Sequence, residues 1–237
     1  MRRTSRVLGT LMILGGLLTL GWATLVWRWQ DPFTWLYTHR EQSRLARQLE
    51  RKLAQFEPAT PPTRAASLAS VRDEIAAEAR RYRKTLHPGD AIGRLTIGRI
   101  GLRIVLVDGT DHESLKKGPG LYDDSALPGQ GRLVYVAGHR TTYLAPFSHI
   151  DRLRPGDLVT IELPYGTFRY VVTRHRVVAA DDVSVLRSHG REVLVLQACH
   201  PRFFATHRYL VYASPVAAIP RSSFARPEAS GRLAVGR

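Results

Sequence analysis

Cys199, His139 and Arg208 are the residues of this chain whose types and spacing could carry covalent chemistry. Cys199 is the only cysteine among 237 residues, so it has no intrachain disulfide partner. A thiol attacks as its thiolate, which nearby positive charge favours. The reaction also needs a group to protonate the leaving group and donors to stabilise an oxyanion. Arg208 stays charged and can present two donors to a carbonyl or oxyanion. His139 stands in the run Ala137-Gly138-His139-Arg140. Taken singly, each residue also has a plain structural reading. A free cysteine behaves as a small buried hydrophobe, a histidine as a hydrogen-bonded or surface residue, and an arginine as a surface charge. Periodicity alone leaves those readings open.

The elements that must position these groups are strands. The apolar run Val193–Ala198 reads as a strand ending at Cys199, and Arg208 begins the strand Tyr209–Ala213. If the two are antiparallel neighbours, the loop His200–His207 folds back and the thiol faces the guanidinium. Leu133–Ala137 is a strand that delivers His139 to a polar loop, Arg140-Thr141-Thr142-Tyr143. His200 is adjacent to the thiol but should point to the opposite face of an extended chain, out of its reach. Alternation at Ile92, Leu95 and Ile97, and at Leu102, Ile104 and Leu106, predicts two more strands. Leu158–Leu163 and Phe168–Val178 add others, with turns at Asp108-Gly109, Arg154-Pro155-Gly156-Asp157 and Pro164-Tyr165-Gly166. Short helices are expected around Glu113–Lys117 and Phe147–Leu153. Seven or eight short strands with few helices make a mainly β domain, a closed or nearly closed barrel without exposed edges.

The N-terminal region has a different character. Val7 to Trp27 carries no charged residue, and 21 residues of helix span about 30 Å, the hydrocarbon thickness of a bilayer. Arg2, Arg3 and Arg6 precede the run, and Trp22, Trp27 and Trp29 crowd its far end. Gly21-Trp22-Ala23 weakly resembles a signal-peptide cleavage site. The apolar character continues past it, so residues 1–29 read as a tail and uncleaved transmembrane anchor. The short basic tail would stay in the cytoplasm, with the domain outside the cell.

Residues 30–87 read as a helical stalk or linker. One helix is expected over Thr38–Phe56 with a stripe of Leu45, Leu49, Leu53 and Phe56. A second runs over about Ala66–Leu86 with Leu68, Val71, Ile75, Ala79, Tyr82 and Leu86 on one face. A stalk, a packing partner for the domain and a dimerising coil all fit these stripes. The barrel then occupies residues 88–220, and the Ala, Gly, Arg and Ser tail 221–237 reads as disordered. Lys and Arg number 35 against 20 Asp and Glu, a formal charge of +15. Such a balance favours anionic lipid or cell-envelope polymers, or is a composition bias without a partner. Nucleic acid would also suit that charge, but the basic residues are scattered and form no dense block, and no nucleic-acid partner is expected.

Three motifs turn these readings into one. Val136–Phe147, containing His139-Arg140-Thr141-Thr142-Tyr143, then Leu196–Pro201 around Cys199, then His207–Val211 together resemble the sortases, the membrane-anchored cysteine transpeptidases of bacterial surfaces. The resemblance covers residues 88–215 and is nearest to the class E sortases of actinobacteria. It implies an eight-stranded β-barrel in which His139 is the general acid/base, Cys199 the nucleophile and Arg208 the oxyanion-stabilising or substrate-positioning residue. It further implies cleavage of a Leu-Pro-x-Thr-Gly-like sorting signal between Thr and Gly, with Ala in place of Pro for class E. A thioester on Cys199 would pass to an amine of a cell-wall precursor. Secreted proteins bearing C-terminal sorting signals would be the substrates, and Tyr143 would help select them.

One position departs from the family. Sortases usually carry Thr directly before the cysteine, and here Ala198 stands there. A hydroxyl at 198 could bond the substrate or intermediate, so Ala198 is taken as a substrate-contacting position where that bond is missing. No cofactor is expected, and the histidines lack the short paired spacing of a zinc site. Two alternatives remain beside the transpeptidase. Water could resolve the thioester, making a sorting-signal peptidase, or the barrel could be a catalytically silent, membrane-tethered binding module.

Overall fold

A computed structural model describes residues 2–28, 32–58 and 68–221. α1 (Arg2–Arg28) contains a stretch, Arg6–Thr24, of mean hydropathy 1.7 that is long and apolar enough to cross a membrane. Its hydroxyls do not stay unpaired. Thr10, Thr19 and Thr24 each donate to the carbonyl four residues back, at 2.8–2.9 Å. That is the arrangement a hydroxyl needs where no water is present.

α2 (Pro32–Gln55) begins with proline at its first helical position, where the missing N–H costs nothing. Its stripe of Leu45, Leu49 and Leu53 packs on Ala91, Val105 and Val107 of the barrel. α3 (Leu68–Arg83) contributes Ile75, Ala79 and Tyr82 to the main core. Of the roles open to these helices, the structure shows packing against the barrel rather than a free stalk. The tail expected to be disordered lies outside the described residues from 222 onward.

Eight strands follow: β1 (Ala91–Ile97), β2 (Leu102–Asp108), β3 (Gly120–Leu121), β4 (Leu133–Ala137), β5 (Leu158–Leu163), β6 (Gly166–Ala179), β7 (Val193–His200) and β8 (His207–Pro220). They close into a barrel in the order β1-β2-β3-β4-β7-β8-β6-β5. The mainly β, closed-barrel expectation holds. A short helix α4 (His112–Lys117) crosses between β2 and β3, capped by Asp111, whose side chain accepts from the amides of Glu113 and Ser114. The helix expected over Phe147–Leu153 shrinks to a single 3₁₀ turn, Ile150–Arg152.

β3 has only two residues and leaves the edge of β2 uncovered at Val105. Gln42 of α2 closes the gap. Its carboxamide accepts from the Val105 amide at 2.8 Å and donates to the Val105 carbonyl at 3.1 Å. One side chain thereby replaces a missing residue of strand pairing.

Side chains alternate between the two faces of the sheet. Val134, Val136, Leu194, Leu196, Ala198, Val211 and Ala213 fill the interior. Leu133, Tyr135, Val195, Leu210 and Tyr212 form a second cluster on the outer face of β4, β7 and β8. The turn Val183–Leu186 covers part of that cluster through Val185 and Leu186.

Gly138 continues the interior face just past β4. A Cβ there would lie 2.6 Å from Cδ2 of Phe147, a fully buried ring. Phe147 in turn donates its amide to the carbonyl of His139 at 3.0 Å. Gly138→Ala should therefore overpack the core and lower the urea midpoint by about 1–3 kcal/mol equivalent. The same displacement should disturb the loop that holds His139.

Candidate active site

The topology, more than any single contact, assembles the site. β4 and β7 are parallel neighbours, with Ala137 opposite Gln197, and the Gly138 amide donates to the Gln197 carbonyl at 3.0 Å. Extending that register two residues brings His139 beside Cys199. β7 and β8 are antiparallel, and Cys199 is paired directly with Arg208. Three strand ends thus bring His139, Cys199 and Arg208 together at one end of the barrel. By the alternation above, Cys199 and Arg208 belong to the outer face, the same side as Tyr135 and Val195.

Cys199 is half-buried. The Arg208 guanidinium is held at the β7–β8 loop, where Nη1 donates to the carbonyls of Ala205 at 2.8 Å and His207 at 3.0 Å. Its charge is also felt by the Tyr135 hydroxyl, which donates to Gln197 Oε1 at 2.7 Å. Tyr135 and Gln197 therefore fill the outer face next to the thiol.

His139 is mostly buried, and its Nε2 meets no hydrogen-bond partner among the described residues. Tyr143 packs on the imidazole with ring centres 5.0 Å apart. Burial, and secondarily the nearby His112, lower the His139 pKa below its ordinary value. The unfolded chain therefore binds this proton more readily. Stability from His139 is present above about pH 6.5 and is lost as pH falls through the lower folded value. Part of the acid slope of the urea midpoint below pH 6.5 should disappear in His139→Gln. An unchanged slope would count against the burial of the imidazole.

Both loops beside the thiol carry backbone strain. Tyr143, Leu144 and Ala145 have φ of 51°, 63° and 41°, and Phe203 and Ala205 have 72° and 55°. Five non-glycine residues in the left-handed region, in the two loops that follow His139 and Cys199, are a concentration typical of functional sites.

Arg140 follows His139 in the motif, and the structure gives it a role. Its side chain is 4% exposed. Nη1 donates to the Cys199 carbonyl at 3.2 Å and contacts His200 Nδ1 at 2.9 Å, while Nη2 pairs with Asp151 at 3.2 Å. The guanidinium also lies over the Tyr209 ring, 5.5 Å from its centre. An arginine has no acceptor, so the 2.9 Å contact assigns Nδ1 of His200 as the acceptor. His200 is thus engaged with Arg140 and the ring of Tyr209 (5.8 Å between centres), on the side away from the thiol. That agrees with the alternation expected for adjacent residues.

Ala198 was expected as a substrate-contacting position, and the structure places it inside the barrel. It is fully buried and belongs to the barrel interior, with Leu196 on the same face. The strand period sends residue 198 inward when Cys199 points outward, so its side chain is a packing position and is not aimed at the substrate side.

Comparison with known proteins agrees with this geometry. A family model for the sortase domain matches residues 95–216, slightly more than half of the chain. Sortase D of Bacillus subtilis is 35% identical over 132 residues, covering 54% of this chain and 65% of that protein. Sortase SrtE1 of Streptomyces coelicolor is 28% identical over 170 residues, covering 65% of this chain and 48% of that protein. The chain thus spans between about half and just under two thirds of these relatives. A solved structure of the Clostridium perfringens sortase D5 transpeptidase shares the fold, with a TM-score of 0.61 at 21% identity over 75% of this chain and 99% of that one. The matched stretch includes the three strand ends that carry His139, Cys199 and Arg208, and the chain belongs to the sortase family.

Proposed function

We propose that this chain is a membrane-tethered cysteine transpeptidase that cleaves a sorting signal between Thr and Gly. The observation that carries this reading is the direct pairing of Cys199 with Arg208, beside the strand end that bears His139. His139 takes the Cys199 thiol proton, the thiolate attacks the threonine carbonyl, and Arg208 donates to the developing oxyanion. His139 gives its proton to the departing glycine amine, leaving a thioester on Cys199. An incoming amine then attacks the thioester while His139 takes its proton. A new amide bond forms and the thiol is restored. The amine of a cell-wall precursor peptide fits the second half-reaction, and no cofactor enters either one. The helix α1 supports a single-pass anchor with the barrel on the outer surface of the membrane.

For the signal we favour Leu-Ala-x-Thr-Gly over Leu-Pro-x-Thr-Gly, the preference attached to the class E resemblance. The His139-Arg140-Thr141-Thr142-Tyr143 run supports it, as does the packing of the Tyr143 ring on the His139 imidazole. The full-length protein in detergent should cleave a fluorogenic Leu-Ala-x-Thr-Gly peptide with a kcat/KM about 10-fold above that for the Pro peptide. Tyr143→Ala should narrow the difference, since one apolar contact discriminates by about 10–200-fold. Equal rates on both peptides overturn the class E reading. An added amine that never enters the product overturns transfer and leaves hydrolysis.

A further inference from the structure

We infer that the catalytic end of the barrel docks against an anionic bilayer surface through two clusters of exposed aromatic and aliphatic side chains. The inference rests on the membrane anchoring proposed above. The first cluster is Trp35, Leu36 and Tyr37 at the start of α2, which are 46%, 43% and 41% exposed. The second is Phe203 and Phe204 in the β7–β8 loop, 65% and 77% exposed. Large side chains this open are unusual in a water-facing loop, and aromatic rings with an apolar body suit the headgroup zone.

The chain itself limits how far this end can stray from the membrane. Only residues 29–31 separate α1 from α2. The step from Arg28 to Pro32 spans at most about 14 Å when fully extended. Six further helical residues add about 9 Å before Thr38. There α2 is pinned. The buried Thr38 hydroxyl donates to the Lys116 carbonyl at 2.9 Å, and Gln42 Nε2 donates to the Lys117 carbonyl at 2.8 Å. α2 is therefore not a long spacer that lifts the barrel away.

The pinned end is also the catalytic end. His39 and Ser43 of α2 face Leu144 and Pro146, from the loop after His139, across a cleft of about 440 Å³. On the other side of the thiol, Arg202 bonds the Ser148 carbonyl and contacts His149 Nδ1 at 3.4 Å, which fixes the root of the Phe203–Phe204 tip. The first cluster accordingly lies by the loop that follows His139, and the second by the loop that follows Cys199. A docking site tied by so short a tether works at an effective concentration in the millimolar range, so weak individual contacts suffice. The formal charge of +15 favours anionic headgroups over zwitterionic ones. Docked this way, the thiol would meet a sorting signal where the substrate chain leaves the bilayer.

Depth measurement in vesicles tests this without reading turnover. The full-length chain carries Cys199→Ala to remove the native thiol, and either Phe204→Cys or Val216→Cys bears a nitroxide. Val216 is 58% exposed on β8, nine residues from His207 and so about 30 Å along the strand. In phosphatidylcholine vesicles containing phosphatidylglycerol, the ratio of oxygen to nickel-chelate collisions should be at least 3-fold higher at 204 than at 216. Removing phosphatidylglycerol should reduce the ratio at 204. Aqueous values at both positions overturn the inference. A high ratio at 204 that appears only with added sorting-signal peptide also overturns it, and gives the phenylalanines to the peptide. Docking by the labelled chain together with wild-type protein that cleaves no sorting-signal peptide would sink the transpeptidase reading while leaving the docking intact.

Discussion

Cys199→Ala should abolish both the thioester and the cleaved product when the full-length protein meets a sorting-signal peptide. The expected loss is at least ~10³-fold in kcat, because no other group can replace the acyl acceptor. Mass spectrometry of the wild-type protein should show the acyl group on Cys199, the only cysteine present. The fold should be untouched. Cys199 is half-buried on the outer face of β7, while the interior of that strand is filled by Leu194, Leu196 and Ala198. Losing one sulfur from a partly exposed site should leave the urea midpoint within about 0.5 kcal/mol of wild type. Arg208→Lys is the companion variant. It retains the charge but not the forked donors, and should cost ~10²–10³-fold in kcat, the usual effect of removing an oxyanion donor. Residual cleavage at the wild-type rate in Cys199→Ala would remove the nucleophile and the transpeptidase reading with it.

Much of this site was legible in the sequence because strand ends are. Leu133–Ala137 and Leu158–Leu163 stand in the structure with the bounds that the sequence assigned them as strand candidates. The backbone pairing of Cys199 with Arg208 follows from one assumption, that β7 and β8 are antiparallel neighbours, and the register shows that they are. The parallel contact of β4 with β7 was not readable. It depends on a crossover that contains β5 and β6, and no local pattern reports a non-local pairing. β3 was missed for a simpler reason, since two residues cannot show a period of two. Its shortness is what makes Gln42 important, and a glutamine on a helix carries no sign that it will mimic a strand edge. The burial of Ala198 was not foreseen, because a substitution within a motif drew attention to chemistry. The strand period, applied one residue earlier than Cys199, would have sent that side chain inward.

Arg140→Met should lower kcat by ~10²-fold with little change in KM, although the residue is not aimed at the substrate face. Its guanidinium joins the Cys199 carbonyl, the His200 imidazole and Asp151 in one planar fork. These groups come from the end of β7 and from the 3₁₀ turn after the His139 loop, so Arg140 ties the two halves of the site together. Methionine keeps most of the volume but leaves the Cys199 carbonyl and His200 Nδ1 without that donor. Asp151 is 42% exposed and can be solvated, so the stability loss should be about 1–3 kcal/mol rather than that of a sealed ion pair. The larger effect is on position. A displacement of about 1 Å at a nucleophile costs on the order of 10²-fold, since attack needs near-contact alignment. Arg140→Lys separates charge from geometry. It restores a cation beside Asp151 but cannot reach three partners in one plane. Its stability should recover more than its kcat. If Lys restores both fully, charge alone is what the site requires. If Met leaves kcat unchanged while the urea midpoint falls, Arg140 is a packing residue and the end of β7 needs no clamp.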